Sequence, residues 1–136
     1  VFPNGRHLMD KNNRPEDIED YLSQLHGGNW FGFTDSKNKI YSNLILHPKV
    51  WNPKYVGDKH DEGLMDNPYS KPTEKECTDG LKAMQDAHDA QAYARTRRTL
   101  YPSIQEQLDM QYWDAVNGTK KWQEAVAKVK TDNPKP

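Results

Sequence analysis

The chain has 136 residues, of which 34% are hydrophobic and 29% charged, and a formal net charge of −1. This charge does not favour nucleic acid as a partner. No apolar run approaches the roughly 18 residues of a membrane span, and the single cysteine, Cys77, excludes an internal disulfide. A soluble domain usually has roughly 45–50% apolar residues, glycine included, so we expect neighbouring chains to complete the core of this one.

The first region, residues 1–46, is predicted to begin with an arm or loop over residues 1–13 and a short helix. Pro15 fits the first turn of this helix, and the Gly27-Gly28 pair fits its end. Four apolar residues recur at helical spacing and predict a buried stripe, which consists of Ile18, Tyr21, Leu22 and Leu25. The acidic residues 16, 17, 19 and 20 are interpreted as a solvated helix face.

A β-hairpin is predicted next, because aromatic and β-branched residues flank a polar turn. Its strands are expected at residues 30–33 and 40–46. A lone hairpin is marginal in water, so the helix or another chain should cover it. Trp30, Phe31 and Phe33 are candidate partner-binding residues, although the same residues fit a hydrophobic core of this region. A third interpretation is a platform for stacking bases or sugars, and the overall charge does not support nucleic acid.

Residues 47–72 are predicted to form a long irregular connector, because four prolines interrupt regular structure. Apolar and aromatic residues are spaced along it, which indicates a strap that docks into pockets of this chain or a neighbour. Trp51 and Tyr55 are the partner-binding candidates here. Residues 58–62 contain a histidine among acidic residues, but contiguous residues cannot easily converge on one metal ion, so they are interpreted as a solvated turn.

The last region, residues 73–136, is predicted to be helical. Thr73 and Glu76 form a capping-box pattern, and a long helix follows to about Leu100. Small residues recur along it at a spacing of three or four and allow another helix to approach, within the chain or between copies. An exposed helix with a few alanines is the alternative. The candidate contact residues are Ala83, Ala87, Ala90 and Ala94.

A helical hairpin is predicted at the C-terminus. Ser103 and Glu106 form a second capping box, Asn117-Gly118 stops the first helix, and Thr119 is expected to cap the last one. The first helix of the hairpin has an apolar face, formed by Ile104, Leu108, Tyr112, Ala115 and Val116. Tyr112, Trp113 and Trp122 are partner-binding candidates. The complete prediction is an α+β chain with a helix and hairpin, a connector and a helical module.

The sequence contains no recognisable catalytic chemistry. It has no G-x-S-x-G, phosphate-binding or dinucleotide-binding motif, and its five histidines do not form a metal-binding pair. Cys77 lies near a helix N-terminus without an evident base, so it is interpreted as a structural thiol. We therefore expect a binding or assembly module that is not an enzyme and uses no cofactor or metal.

The C-terminal motifs resemble a recurrent module of known proteins. They read Y-P-S-I-x-x-Q-L-D from Tyr101, N-G-T-x-x-W from Asn117 and V-K-x-x-x-P-K from Val129. This string is similar to the end of small virion structural proteins, associated with tails or tail fibres, of tailed bacteriophages, especially marine and cyanobacterial phages. The similarity covers roughly the last 65 residues. Gln105-Glu106 departs from it, because Gly-Asp is usual there.

The resemblance implies a structural component of a phage tail, tail fibre or neck, made in the host cytoplasm and carried in the virion. It implies other virion proteins as partners. Together with the composition and the helix patterns, we expect copies of the chain itself as further partners, no membrane and no specific nucleic acid. The resemblance supplies no catalytic residues. A tail-fibre assembly chaperone is the first alternative, and a small nucleic-acid-binding or regulatory protein is the second.

Overall fold

The structure, a computed structural model, describes residues 12–136 and has the predicted α+β architecture. Of the predicted arm, only Asn12 and Asn13 lie within the described residues. The described elements are α1 Ile18–Leu25, β1 Phe31–Phe33, β2 Leu44–Leu46, β3 Lys49–Trp51, β4 Leu64–Asp66, α2 Glu74–Ala90, α3 Ala92–Leu100, α4 Ile104–Asn117 and α5 Lys121–Asp132. The chain divides into an N-terminal unit that ends at Asp86 and a C-terminal unit, Ala87–Pro136. The division therefore falls inside α2.

The first helix begins three residues later than Pro15 suggested. Asp17 is its N-cap and accepts a hydrogen bond from the Glu19 N–H at 3.0 Å. Asp20 completes a capping box and accepts from the Glu16 N–H at 2.6 Å. These bonds satisfy main-chain donors that the first helical turn leaves unpaired, and they place Pro15 before the helix instead of in its first turn.

The first hairpin forms with a shorter second strand than predicted. β1 pairs antiparallel with β2, so that Phe31 lies opposite Leu46 and Phe33 opposite Leu44. The predicted strand residues 41–43 form a 3-10 turn instead. The Asn43 N–H donates to the Ile40 carbonyl at 3.0 Å within this turn, so it is not available to a neighbouring strand.

A second hairpin corrects the prediction of an irregular connector. β3 pairs antiparallel with β4, with Val50 opposite Met65. The prolines flank these three-residue strands and do not interrupt them. The Asn67 side chain donates to the carbonyls of Trp30 and His47, both at 2.8 Å, and so joins this segment to the first hairpin. Residues 47–72 are therefore part of the folded N-terminal unit.

The buried apolar residues of the described chain all lie in the N-terminal unit. They come from α1, from both hairpins and from the first turn of α2, and they are Ile18, Leu22, Trp30, Phe31, Leu44, Val50 and Cys77. The Trp30 indole donates to the His26 carbonyl at 3.1 Å, so its polar atom is satisfied in this interior. The unit therefore has a small core of seven residues, of which Trp30 is the largest fully buried one.

The small-residue stripe of α2 begins with a close contact inside the chain. A Cβ placed on Gly80 would overlap the ring of Tyr21 from α1. The glycine therefore leaves room for the Tyr21 ring against α2. Gly80 lies three residues before Ala83, the first of the candidate contact residues of α2, so a contact within the chain occupies this end of the helix.

Replacing Gly80 with alanine should destabilise the N-terminal unit. Overpacking costs about 1–3 kcal/mol, which outweighs the gain of up to about 1 kcal/mol in helix propensity. Chemical denaturation followed by circular dichroism measures the change. The same substitution in a Tyr21→Ala background should be neutral or stabilising, because no ring remains to be displaced. A Gly80→Ala chain more stable than the native one contradicts this account.

The long helix predicted to Leu100 is interrupted at Gln91. The Gln91 N–H donates to the His88 carbonyl, three residues back, at 3.2 Å. The Arg95 guanidinium donates to the same carbonyl at 2.7 Å. This side chain stabilises the tightened turn, so α2 ends and α3 begins without a proline or glycine at the break. The predicted capping box at the start of α2 is present, with the Thr73 N–H donating to Glu76 at 2.7 Å.

Candidate interaction surface of the C-terminal unit

A single carboxylate closes the C-terminal helical hairpin. Asp114 on α4 accepts hydrogen bonds from the Thr119 hydroxyl at 2.5 Å, the Lys121 N–H at 3.0 Å and the Trp122 N–H at 2.9 Å. Gly118 has a φ of 66°, the left-handed conformation that glycine adopts at helix C-termini. Asp114 therefore caps α5, a role that the sequence had assigned to Thr119.

The hydrogen bonds to Asp114 have an electrostatic consequence. The Thr119 hydroxyl, followed by the main-chain N–H of Trp122, bonds to the charged form of the carboxyl and lowers its pKa from the ordinary 3.8. A carboxyl with a lowered pKa in the folded state stabilises the fold fully above its ordinary pKa. This contribution is lost as the pH falls below 3.8 through the lower pKa of the folded state.

Replacing Asp114 with alanine should lower the melting temperature of the C-terminal unit by roughly 4–8 °C at pH 7, the usual effect of losing one helix cap. The difference between the native chain and the variant should shrink as the pH falls below 4. Thermal melts followed by circular dichroism at a series of pH values measure both effects. A constant difference between pH 7 and pH 2 contradicts the assigned role of the carboxylate.

Further polar side chains tie the hairpin together. The Trp122 indole donates to the Gln107 side chain at 3.1 Å, and Gln107 donates to the Pro102 carbonyl at 2.8 Å. Arg97 on α3 donates to the carbonyl of Asn133, just beyond α5, at 2.8 Å. Ser103 and Glu106 form the predicted capping box at the start of α4. The side of α4 that faces α5 is therefore largely polar.

The apolar face of α4 points to solvent. We call its four large residues the α4 row, and their exposed fractions are 73% for Ile104, 60% for Leu108, 61% for Tyr112 and 57% for Val116. Ala115 is also exposed, and Leu100, just before α4, is 53% exposed. Between residues 87 and 136, all of which the structure describes, no residue is buried. The C-terminal unit thus exposes several of its large apolar residues and has no buried residue.

The other candidate residues lie in different environments. Trp30 and Phe31 are buried in the N-terminal core and Phe33 packs against it, so the core interpretation of these aromatics is the one that the structure matches. Trp51 is 48% exposed and meets Tyr55 edge to face, with 5.7 Å between ring centroids. These two rings lie on the second hairpin, which the sequence did not predict.

The remaining candidates belong to the helices. Ala83, Ala87 and Ala90 are exposed, whereas Ala94 is partly buried. Trp113 is 50% exposed and lies beside Tyr112, with ring centroids 5.1 Å apart, whereas Trp122 is partly buried against Gln107. The structure therefore brings Tyr112 and Trp113 together on the exposed side of α4 and places Trp122 on its inner side.

The prediction of a solvated acidic face at residues 16, 17, 19 and 20 is wrong for two of the four, whereas Glu16 is exposed. Glu19 and Asp20 are buried, and Glu19 forms an ion pair with Lys39. Burial raises the pKa of the Asp17 carboxyl. Burial opposes the charge of Lys39 as well, but the hydrogen bond to Glu19 and the charges of Asp17 and Asp20 outweigh it and raise the pKa of Lys39. The cluster holds α1 against the first hairpin.

Other kinds of site find little support in the described residues. Within residues 12–136, no group of three or more histidine, cysteine or acidic side chains is arranged to hold a metal ion. None of the described helices has both the length and the apolar character that crossing a bilayer requires. Burial raises the pKa of the Cys77 thiol, which is typical of an unreactive structural cysteine.

Comparison with known proteins gives no further guidance. Neither the family models, nor the curated proteins, nor the solved structures contain a match to this chain.

Proposed function

We propose that this chain is a structural component of a tailed-phage virion that acts through protein–protein contacts, with the α4 row as its main contact surface. The observation that carries the proposal is the exposure of all four residues of the row, each by more than half. Contiguous exposed apolar patches of this kind typically mark interaction sites. The resemblance of the C-terminal motifs to virion proteins supports the proposal that the assembly is a phage virion.

Two sets of motif residues support this proposal. The polar ones, including Gln107, Asp114 and Thr119, form hydrogen bonds inside the hairpin. Of the apolar ones, Ile104 and Leu108 are exposed. The polar residues thus build the hairpin, while these apolar residues remain available to a partner.

The size of the face indicates how strong one contact can be. The α4 row exposes on the order of 400 Å² of apolar surface, whereas each partner of a standard interface buries about 800 Å². Association costs an estimated 4–15 kcal/mol in lost freedom, so one such face supports only a weak contact by itself. We therefore propose that the chain is present in several copies, whose contacts act together.

Quantitative mass spectrometry of purified particles tests the proposal. A structural component should be present in multiple copies per particle and should remain after extensive washing. A tail-fibre assembly chaperone should instead be abundant in infected cells and missing from particles. Absence from particles therefore rejects the structural role.

A further inference from the structure

The geometry of the α4 row also indicates what covers it, an inference that rests on the proposed function. We infer that the row binds the same row of a second copy of this chain, with the two α4 helices antiparallel about a two-fold axis. Three properties of the face support this occupant: the spacing of the row, the near absence of charge around it and its area.

The spacing of the row suits a partner of identical pattern. Ile104, Leu108, Tyr112 and Val116 follow one another at intervals of four residues and form a single ridge on the helix. Two helices whose ridges of this type interdigitate make the commonest class of helix packing, with axes crossing at about −50°. A second copy presents the matching ridge by definition, and a two-fold axis is the symmetry that brings one patch against itself.

A two-fold axis between Leu108 and Tyr112 aligns the two rows along their whole length. It places Leu108 of one copy against Tyr112 of the other, and Ile104 against Val116. The rows then overlap over about 18 Å, from the first to the last member. The antiparallel arrangement also places each helix N-terminus beside the C-terminus of the other copy, where the partial charges of the helix ends attract.

The surroundings of the row contain little charge. The exposed, uncharged side chains of Gln105 and Gln111 flank it. Gln111 lies one residue from the axis, where its amide can both donate to and accept from the same amide of the second copy. α4 has no lysine or arginine, and of its three acidic residues Asp109 lies nearest the row on the helix surface. A partner recognised by charge would require a charged rim, whereas an uncharged rim is compatible with a copy of itself.

Repulsion between the Asp109 side chains of the two copies is expected if the dimer has this two-fold arrangement. The helical position of Asp109 is close to the axis and to one side of the row, so the two copies bring their Asp109 carboxylates to the same side. Like charges at such a distance repel weakly. Neutralising Asp109 should therefore tighten the dimer about two- to five-fold.

The area predicts a weak dimer. Two rows bury roughly 800 Å² in total, and their flanking residues raise this to about 1,000 Å², which is near the lower limit for a specific interface. We expect dissociation constants in the range of about 1–100 μM, so that pairing is strengthened where an assembly holds many copies together.

Sedimentation equilibrium of the full chain, from about 1 μM to 1 mM, tests the inference. The mass should rise from monomer to dimer with concentration, and Leu108→Glu should weaken pairing at least ten-fold. Leu108 is exposed and glutamate is a good helix former, so this variant should keep its helix content. Val56→Glu is the matched control, because Val56 is 96% exposed and far from α4 in sequence; it should pair like the native chain.

Oxidative cross-linking tests the register. A mixture of Leu108→Cys and Tyr112→Cys chains should form the mixed disulfide in preference to either chain paired with itself, and the buried Cys77 should not compete. Self-pairing of the Leu108→Cys chain in preference to the mixed product overturns the antiparallel arrangement.

The inference can fail separately from the proposed function. A chain that stays monomeric at all concentrations, or a dimer that Leu108→Glu leaves unchanged, overturns self-pairing. If such a chain is still found in particles and loses its place there through Leu108→Glu, the structural role holds and the row binds a different virion protein. A dimer that depends on Leu108 but is absent from particles supports self-pairing and rejects the structural role.

Discussion

Replacing Trp30 with alanine should destabilise the N-terminal unit by about 3–5 kcal/mol. Trp30 is fully buried, and its ring lies edge to face against Phe31 and Tyr69, with centroids 4.9 and 5.6 Å away. Its removal leaves a cavity in a core of few residues. Because small domains are stable by only about 5–15 kcal/mol, the loss removes a large share of the stability of this unit.

Trp51 provides the matched control for Trp30. It lies in the same unit, but it is 48% exposed. Trp51→Ala should therefore cost clearly less than Trp30→Ala. Urea denaturation followed by circular dichroism compares the two free energies of unfolding. Equal losses would contradict the role of Trp30 in the core.

Replacing Trp122 with alanine should have the largest effect on the C-terminal unit. Trp122 is partly buried between α4 and α5, and its indole donates to the Gln107 side chain on α4 at 3.1 Å. In a unit without a buried residue, this side chain supplies much of the contact between the two helices. We expect a loss of about 2–3 kcal/mol, less than for a fully buried tryptophan.

Trp113→Ala is the matched control for this second prediction. Trp113 lies on α4 but is 50% exposed, and its ring meets Tyr112 rather than α5. Hydrogen exchange of the α4 and α5 amides should become much faster in Trp122→Ala and should change little in Trp113→Ala. The reverse order would show that the hairpin is held together on its exposed side.

Local signals made most of the helices predictable. The capping boxes at Thr73 and Ser103 depend on residues three apart in sequence, and both occur in the structure. The end of α4 follows from Gly118, whose left-handed conformation glycine adopts without strain. These features depend on the nearest neighbours along the chain, so the sequence was sufficient to predict them.

Features that depend on contacts beyond the nearest residues were missed. Strands of three residues are too short to show an alternating pattern, so β3 and β4 became visible only through their pairing with each other. The break at Gln91 depends on Arg95 reaching back to the His88 carbonyl. In the same way, the burial of Glu19 depends on Lys39, twenty residues away.

The sequence predicted which residues form the candidate surface, but not the direction in which they point. Periodicity identified the apolar face of α4, but not whether it faces α5 or solvent. Its direction follows from Asp114 and Gln107, which turn the opposite side of α4 toward α5 through hydrogen bonds to α5 residues. The sequence offered these two residues as ordinary polar positions, and only the packing of the hairpin reveals their role.

The role of the α4 row as a contact surface is tested most directly by measuring how much of a row variant enters purified particles. Replacing Ile104, Leu108, Tyr112 and Val116 with glutamine should preserve the helix, because glutamine is a good helix former and all four side chains are exposed. We predict native helix content and loss of the chain from particles. Incorporation at the native level, with the fold intact, would contradict the account.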